Sequence, residues 1–374
     1  MIILPFISIL ILITERKVYI NPLLFIPVLF FLVEFLWIFF DKSSVSARMQ
    51  KMDSQFAMVL GPLSFLVLDP SIVVAQKDRI FKAFILGNLF ATLYALGHSL
   101  LNLLVSDFAF SAYNLDRFFG ELHHHTYYSL NALVAMLLIM YLVLKHKSGK
   151  FFLYAMLITW IVLDMGIFIA ASRIGMFLAF LLNLVFIWLL AGRLKYRWLR
   201  YAGALIFFIA FILVIMNSST FSYLKEKDNN LIVRILTENK QSIRLIIWKE
   251  ATAQAWDAFP FGHGTGTLSR EMSASLHKEI REGIIHMKAP DAHNQFIETF
   301  FETGLAGILI LLTLFTLPLW LAIRRKKLLF SAFLMVFFFV CIFESVFKRQ
   351  WGVESFILFY NVFSISLINQ ESSE

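Results

Sequence analysis

A histidine lies at the start of a long apolar run, in the stretch APDAHNQFIETFFETGLAG between Ala289 and Gly307. The imidazole of His293 titrates near neutral pH, so it can serve as a general base or general acid. A histidine at the mouth of an apolar segment can equally be an interfacial residue that only forms hydrogen bonds. His293 is therefore a candidate for proton transfer, with this structural role as its alternative.

Two arginines are candidates for binding an anion. Arg173 lies between two long apolar runs in AASRIGMFLAF, and Arg244 lies one helical turn before Trp248 in SIRLIIWKEA, so that these two share a helix face. A guanidinium can bind a phosphate through two parallel hydrogen bonds. In the structural alternative, Arg173 only lies in the turn between two spans. Arg244 and Trp248 would then belong to a helix that lies on the lipid surface, with Trp248 at the interface.

Metal and nucleotide sites are disfavoured by the remaining motifs. His123, His124 and His125 are adjacent in GELHHHTYYS, but no acidic cluster accompanies them, so they are interpreted as residues that could line a site. The glycines of FPFGHGTGT follow a helical pattern rather than a strand, which favours a turn over a dinucleotide site. Cys341, the single cysteine, lies in an apolar run and offers no disulfide. No cofactor is predicted.

The composition is that of a polytopic membrane protein. Of the 374 residues, 59% are hydrophobic and 16% are charged, whereas a soluble domain has about 25% charged residues. The mean hydropathy is +0.76. Because a crossing of the hydrocarbon core takes about 20 apolar residues, eleven spans are predicted, at residues 2–14, 20–40, 56–68, 80–105, 125–144, 151–171, 174–191, 201–217, 295–323, 328–343 and 354–368. The N-terminal stretch lacks a basic region and a cleavage site, so no signal peptide is predicted.

The positions of the basic residues predict the orientation. Lys and Arg number 33 against 25 acidic residues, and the short loops that follow odd-numbered spans carry most of them, which places those loops in the cytoplasm. The N-terminus is thus predicted outside and the C-terminus inside, and this distribution of charge disfavours nucleic-acid binding. The chain then divides into helices at 1–217, a large external loop at 218–290 and helices at 291–374. Within the loop, Gln241–Ala258 is predicted as an amphipathic helix with Ser242 as its N-cap.

Several polar side chains are predicted on or near the external face. Glu34, His98 and Asp164 fall in the outer halves of spans, where such groups are either functional or hydrogen-bonded between helices. The connection FESVFKRQWG is polar and external. The candidates that converge on this face are Arg173, Arg244, His123–His125, His293 and Arg349.

The motifs together resemble the O-antigen ligase/polymerase family of bacterial envelope glycosyltransferases. AHNQFIETFFETGLAGILILL resembles the stretch that follows the family's large periplasmic loop, and SRIGMFLAF is similar to its span start, in which Ser-Arg is followed by small residues or Gly. SIRLIIWKEA and the following FPFGHGTG are similar to its Arg-x-x-x-Trp helix and glycine turn. LHHHTYYS and FESVFKRQWG resemble two further external segments. The family usually has twelve spans, and the first of them is not found here.

The resemblance implies an all-α, GT-C-like membrane enzyme with about eleven transmembrane helices, one large periplasmic loop and an active site on the periplasmic face of the bacterial inner membrane. It implies a metal-independent, inverting transfer of a glycan from an undecaprenyl-diphosphate carrier to an acceptor hydroxyl, such as that of lipid A-core. His293 would be catalytic, and Arg173 and Arg244 would bind the donor diphosphate. The candidate lining residues are His124, His125, Asn294, Trp248 and Arg349.

Two other functions stay open at the level of the sequence. A repeat-unit polymerase would use the same motifs with a second lipid-linked glycan as acceptor. A glycolipid transporter would be expected to show internal repeats, and none is evident. The sugars, the acceptor and the oligomeric state are not determined by the sequence.

Overall fold

The computed structural model describes residues 3–15, 17–40, 45–105, 124–145, 149–192, 201, 205, 208, 243–277, 281 and 291–368. Over these residues the secondary structure is helical and includes no strand. The predicted all-α class is therefore confirmed for the part of the chain that is described.

The helices follow the apolar runs of the sequence. They are α1 (Ile3–Glu15), α2 (Phe25–Trp37), α3 (Val45–Gln55), α4 (Ala57–Phe65), α5 (Pro70–Val105), α6 (His125–Lys145), α7 (Lys150–Ile169), α8 (Arg173–Ala191), α9 (Ile243–Asp257), α10 (Leu268–Ser275), α11 (Gln295–Arg324), α12 (Leu328–Phe343) and α13 (Gln350–Ile368). Short 3₁₀ turns at Pro22–Leu24 and Ile38–Phe40 extend α2 at both ends, and a third lies at Val346–Lys348.

Seven of the described helices are long and apolar enough to cross a membrane, which makes the chain a membrane protein. They are Pro22–Phe40, Pro70–Val105, His125–Lys145, Lys150–Ile169, Arg173–Ala191, Gln295–Arg324 and Gln350–Ile368. The predicted spans at 2–14, 56–68 and 328–343 coincide with the shorter helices α1, α4 and α12. The predicted span at 201–217 lies almost entirely outside the described residues, so the total of eleven stays a prediction.

The chain forms two compact units. One contains residues 1–77 and 240–374, and the other contains residues 78–239. In the first unit, α11 packs against α2, α9 and α12, while α13 packs against α4; in the second, α6 packs against α7 and α8. This division into two units does not test the predicted regions, which follow the order of the chain. Those regions are residues 1–217, 218–290 and 291–374.

Helix α11 is broken at Gly304, which has a φ of 59° and a ψ of −143°. The loop after α9 forms hydrogen bonds with the backbone at this break. The amide of His263 donates to the Phe301 carbonyl at 2.9 Å, and the amide of Gly264 donates to the Glu302 carbonyl at 2.8 Å. In return, the amide of Leu305 donates to the Pro260 carbonyl at 2.8 Å. A Cβ atom on Gly304 would lie 2.1 Å from the Pro260 oxygen. Only a glycine fits there, because the approach is this close and φ is positive.

The glycine-rich loop therefore has a structural role. Gly262, Gly264 and Gly266 all have positive φ, between 77° and 100°, and a Cβ on Gly262 would lie 2.7 Å from the Glu302 carbonyl oxygen. The amides that an anion would need at residues 262 to 265 already donate to backbone carbonyls. This agrees with the predicted turn and gives no support to an anion-binding loop.

Candidate functional site

His293 occupies a tight turn directly before α11. Its backbone has a φ of 45°, uncommon for a residue with a side chain, and its amide donates to the Asp291 carboxylate at 3.2 Å. Asn294 caps the helix, since its side-chain oxygen accepts from the amides of Phe296 and Ile297 at 3.0 Å. The span predicted from residue 295 agrees with this helix, which begins at Gln295.

The imidazole of His293 is paired with the carboxylate of Glu344. Nδ1 of His293 lies 3.1 Å from Oε1 of Glu344, and the two side chains are 24% and 7% exposed. The hydrogen bond that Nδ1 donates to the Glu344 carboxylate raises the pKa of His293 more than burial of the ring lowers it. With the proton on Nδ1, Nε2 is a free acceptor, so the pair has the orientation of a carboxylate-assisted general base.

Helix α9 brings Arg244 and Trp248 to the same turn. The Trp248 indole N–H donates to the carbonyl of Ala292 at 2.6 Å. Arg244 is exposed, donates to the carbonyl of Phe343 at 3.4 Å, and its charge acts to lower the pKa of His293. The predicted shared face of Arg244 and Trp248 is thus the face that meets the histidine turn. The predicted N-cap Ser242 lies outside the described residues.

The connection between α12 and α13 also contacts the histidine turn. Lys348 donates to the Asp291 carboxylate at 2.9 Å, and the amide of Phe347 donates to the side-chain oxygen of Gln295 at 2.7 Å. Burial raises the pKa of the Asp291 carboxyl, but Lys348 outweighs it and holds that pKa below its ordinary value. Arg349, a predicted lining residue, is exposed. The cation that contacts the histidine turn is Lys348, which sequence reasoning did not single out.

The second unit holds the other predicted residues. His125 Nδ1 lies 2.6 Å from the carbonyl oxygen of Ala170, three residues before Arg173. Arg173 is exposed in the first turn of α8, which Ser172 caps through the amide of Gly175 at 3.3 Å. His124 is exposed, and its ring centroid is 5.0 Å from that of Tyr127. The structure thus brings His125 next to the turn that carries Arg173, while His123 lies outside the described residues.

Two intramembrane residues named from the sequence form hydrogen bonds within this unit. The side-chain amide of Asn183 donates to Asp164 at 3.0 Å, joining α8 to α7. The side-chain amide of Asn102 lies 3.1 Å from Nε2 of His98, one turn away on α5. For Asp164 these contacts favour the inter-helix interpretation.

Part of the chain is similar to a known family. Residues 155–312 match the family model described as O-antigen ligase. This region, 158 of the 374 residues, is similar to the O-antigen ligase/polymerase family. The matched range contains Arg173, Arg244 and His293, so the three residues named from the motifs all lie within the family's region. A comparison with curated proteins gave no match.

The matched family implies, in coarse terms, a membrane glycosyltransferase of the ligase or polymerase type. An enzyme of that type acts on a lipid-linked glycan and a lipid acceptor. The family match does not distinguish the ligase from the polymerase, nor does it identify the sugars.

A buried charge cluster lies beneath the histidine turn. The ammonium group of Lys51 forms ion pairs with Glu34 at 3.1 Å, with Glu298 at 3.4 Å and with Glu302. All four side chains are 5% exposed or less. The cluster joins α2, α3 and α11. Glu34, which the sequence left between a functional and an inter-helix role, therefore lies in an inter-helix contact.

The spacing of Glu298 and Glu302 was the available signal for this cluster. They are four residues apart on α11 and share one face, yet nothing in the sequence pointed to Lys51 as their partner. Among the described residues, no group of three His, Cys, Asp or Glu side chains is arranged to hold a metal ion. The carboxylates of the cluster surround the lysine instead.

Proposed function

We propose that the protein transfers a glycan from an undecaprenyl-diphosphate carrier to an acceptor hydroxyl at the periplasmic face of the bacterial inner membrane, as an O-antigen ligase with lipid A-core as acceptor. The His293–Glu344 pair carries this proposal. A half-buried imidazole with one nitrogen fixed by a carboxylate is arranged to remove a proton. The charge of the exposed Arg244 acts on this imidazole. His293 also lies in the region that matches the family.

The proposed reaction is a single displacement. Nε2 of His293 takes the proton of the acceptor hydroxyl while that oxygen attacks the anomeric carbon from the face opposite the diphosphate. The bond between the anomeric carbon and the diphosphate oxygen breaks with its electron pair, which yields undecaprenyl diphosphate and an inverted glycosidic bond. Glu344 stabilises the imidazolium that forms.

The leaving diphosphate needs cations as its charge develops. Arg244 suits this role because its guanidinium is exposed and its described hydrogen bond, to the carbonyl of Phe343, leaves donors for an anion. For Arg173 the same role is proposed from the family motif, supported by its exposure at the start of α8. Two arginines would replace a divalent metal, so the proposed reaction proceeds in EDTA.

Replacing Arg244 with lysine is expected to remove most of the activity. The charge stays, but the planar fork that binds two phosphate oxygens is lost. The measurement is turnover of purified Arg244→Lys with a lipid-linked donor. Arg270→Lys is the matched control, because Arg270 is an arginine of the same unit that pairs with Glu271 outside the site. Equal turnover in the two variants would remove Arg244 from the diphosphate site.

Deletion of the gene, followed by analysis of the cell's glycolipids, tests the function itself. A ligase predicts that polymer disappears from lipid A and accumulates on the carrier. The polymerase alternative, which belongs to the same family, predicts single repeats on lipid A. An unchanged glycolipid pattern would contradict both functions.

A further inference from the structure

The pair formed by Asp291 and Lys348 joins the two chain segments that carry the proton-transfer residues. His293 lies in the turn at 291–294, whereas Glu344 lies 51 residues later, at the end of α12. One oxygen of Asp291 accepts from the amide of His293 at 3.2 Å, and the other accepts from the ammonium of Lys348 at 2.9 Å. Asp291 is therefore held by both segments at once.

Further contacts tie the two segments together at the same place. The hydroxyl of Ser345 lies 3.4 Å from the first oxygen of Asp291, and Phe347 donates its amide to Gln295 at 2.7 Å. The ammonium of Lys348 also lies 3.9 Å from Glu298, a carboxylate of the buried cluster. Lys348 thus contacts the turn before α11 on one side and the first turn of α11 on the other.

We propose that Lys348 is a positioning residue for the transfer reaction, which holds the segment of Glu344 against the turn of His293 by binding Asp291 and Glu298. This role rests on the proposed function, because it presupposes that His293 is the base. Lys348 is 26% exposed and Asp291 19% exposed at their side chains, so water weakens their pairing less than at a free surface. The charges of Glu298 and Asp291 raise the pKa of Lys348 although burial lowers it, and the lysine stays charged.

Loss of this contact should loosen the hydrogen bond between His293 and Glu344 without removing a group that binds the donor. The expected result for Lys348→Met is a kcat at least tenfold lower, with the KM for the lipid-linked donor within about twofold of wild type, since small errors in placement lower rate more than binding. Lys348→Arg keeps the charge and should retain most of kcat. In a Glu344→Gln background, Lys348→Met should have little further effect, because the bond it supports is already lost.

The matched control is Lys145→Met. Lys145 pairs with Asp78 at 2.9 Å, the same distance as the Lys348 pair, at the end of α6 in the other unit. This variant should keep kcat within about twofold. Equal losses in Lys145→Met and Lys348→Met, or a full additive loss in the Glu344→Gln background, would overturn the positioning role.

A second measurement needs no transferase activity. Diethyl pyrocarbonate modifies neutral imidazole, and mass spectrometry can follow its reaction with His293 in the full-length protein as pH is varied. The charged groups around this ring are Glu344, Asp291, Arg244 and Lys348. If Lys348 holds Glu344 in place, Lys348→Met should shift the pH at which modification of His293 is half-maximal to a lower value. Glu344→Gln should shift it in the same direction.

An unchanged or higher midpoint in Lys348→Met would overturn the inference, since Lys348 would then act only as a charge on Asp291. The proposed function fails by a different result, namely full turnover in His293→Ala. The two failures can therefore be told apart in the same set of purified proteins.

Discussion

Replacing His293 with alanine is expected to lower the rate of glycan transfer by about 10²–10⁴-fold, while the protein still inserts and still binds the lipid-linked donor. A positioned general base contributes this factor, roughly 3–5 kcal/mol of barrier. The neighbouring Asn294 cannot replace it, because an amide does not accept a proton in this range and its oxygen already caps α11. The measurement is the specific activity of purified His293→Ala with donor and acceptor.

The structural alternative for His293 predicts a different result. A histidine that only forms the turn before α11 would, when replaced, reduce the yield of folded protein and leave its specific activity within about tenfold of wild type. His263→Ala is the matched control, because its ring stacks on Phe301 in the same unit, with centroids 4.4 Å apart. If His293→Ala loses no more activity than His263→Ala, His293 is not the general base. Arg173 and Arg244 would then have to carry catalysis by electrostatics alone.

The pH dependence of the reaction follows from the same pair. The hydrogen bond from His293 to the Glu344 carboxylate raises the pKa of the histidine above its ordinary value. Because a general base must be unprotonated, kcat should fall as pH falls through this raised pKa. Replacing Glu344 with glutamine removes the negative charge, so the acidic limb should move to lower pH. An acidic limb at the same pH in Glu344→Gln would show that His293 does not set it.

Local patterns in the sequence were sufficient to predict the helices and part of the site. Each predicted span other than 201–217 coincides with a helix, because apolar runs of this length have few alternatives in a bilayer. The four-residue spacing of Arg244 and Trp248 placed them on one face, and that face contacts the histidine turn. The periplasmic side of this site stays a prediction.

The partners of these residues could not be predicted, because they come from distant parts of the chain. Glu344 was read only as part of a polar connection, and nothing in a single sequence shows that it meets a histidine 51 residues away. Lys51 lies between the predicted spans 20–40 and 56–68, and nothing in that position indicates that it contacts Glu302, 251 residues later. Such pairs are decided by the packing of helices, which hydropathy and spacing do not determine.

The break in α11 is a similar case. The sequence indicated a turn at the glycines after α9, but not that this turn fills a gap in another helix. Gly304 lies within a continuous apolar pattern, and its positive φ depends on the loop that contributes the carbonyl of Pro260. The result is a short first segment of α11, residues 295–303, which carries Glu298 and Glu302 directly after the histidine turn.

Lys51 should be among the most sensitive positions for stability. Replacing it with methionine leaves the carboxylates of Glu34, Glu298 and Glu302 buried without their cation. Breaking a buried ion pair in this way typically costs about 3–5 kcal/mol, a large part of the roughly 5–15 kcal/mol by which folded proteins are stable. Lys51→Met is therefore expected to yield little folded protein, measured as monodisperse material after extraction in detergent and by its melting temperature.

The comparison that isolates the charge uses two further variants. Lys145→Met removes a lysine from an ion pair whose side chains are 41% and 22% exposed, so its expected cost is only about 0–1 kcal/mol. Adding Glu302→Gln to Lys51→Met removes one of the uncompensated carboxylates and should restore part of the lost stability, since an unpaired buried charge costs more than the loss of both partners. If Lys51→Met melts at the same temperature as Lys145→Met, the cluster does not hold α2, α3 and α11 together. The first segment of α11 would then depend on the Gly304 break, the Asn294 cap and the contacts of Gln295 and Glu298 with the connection between α12 and α13.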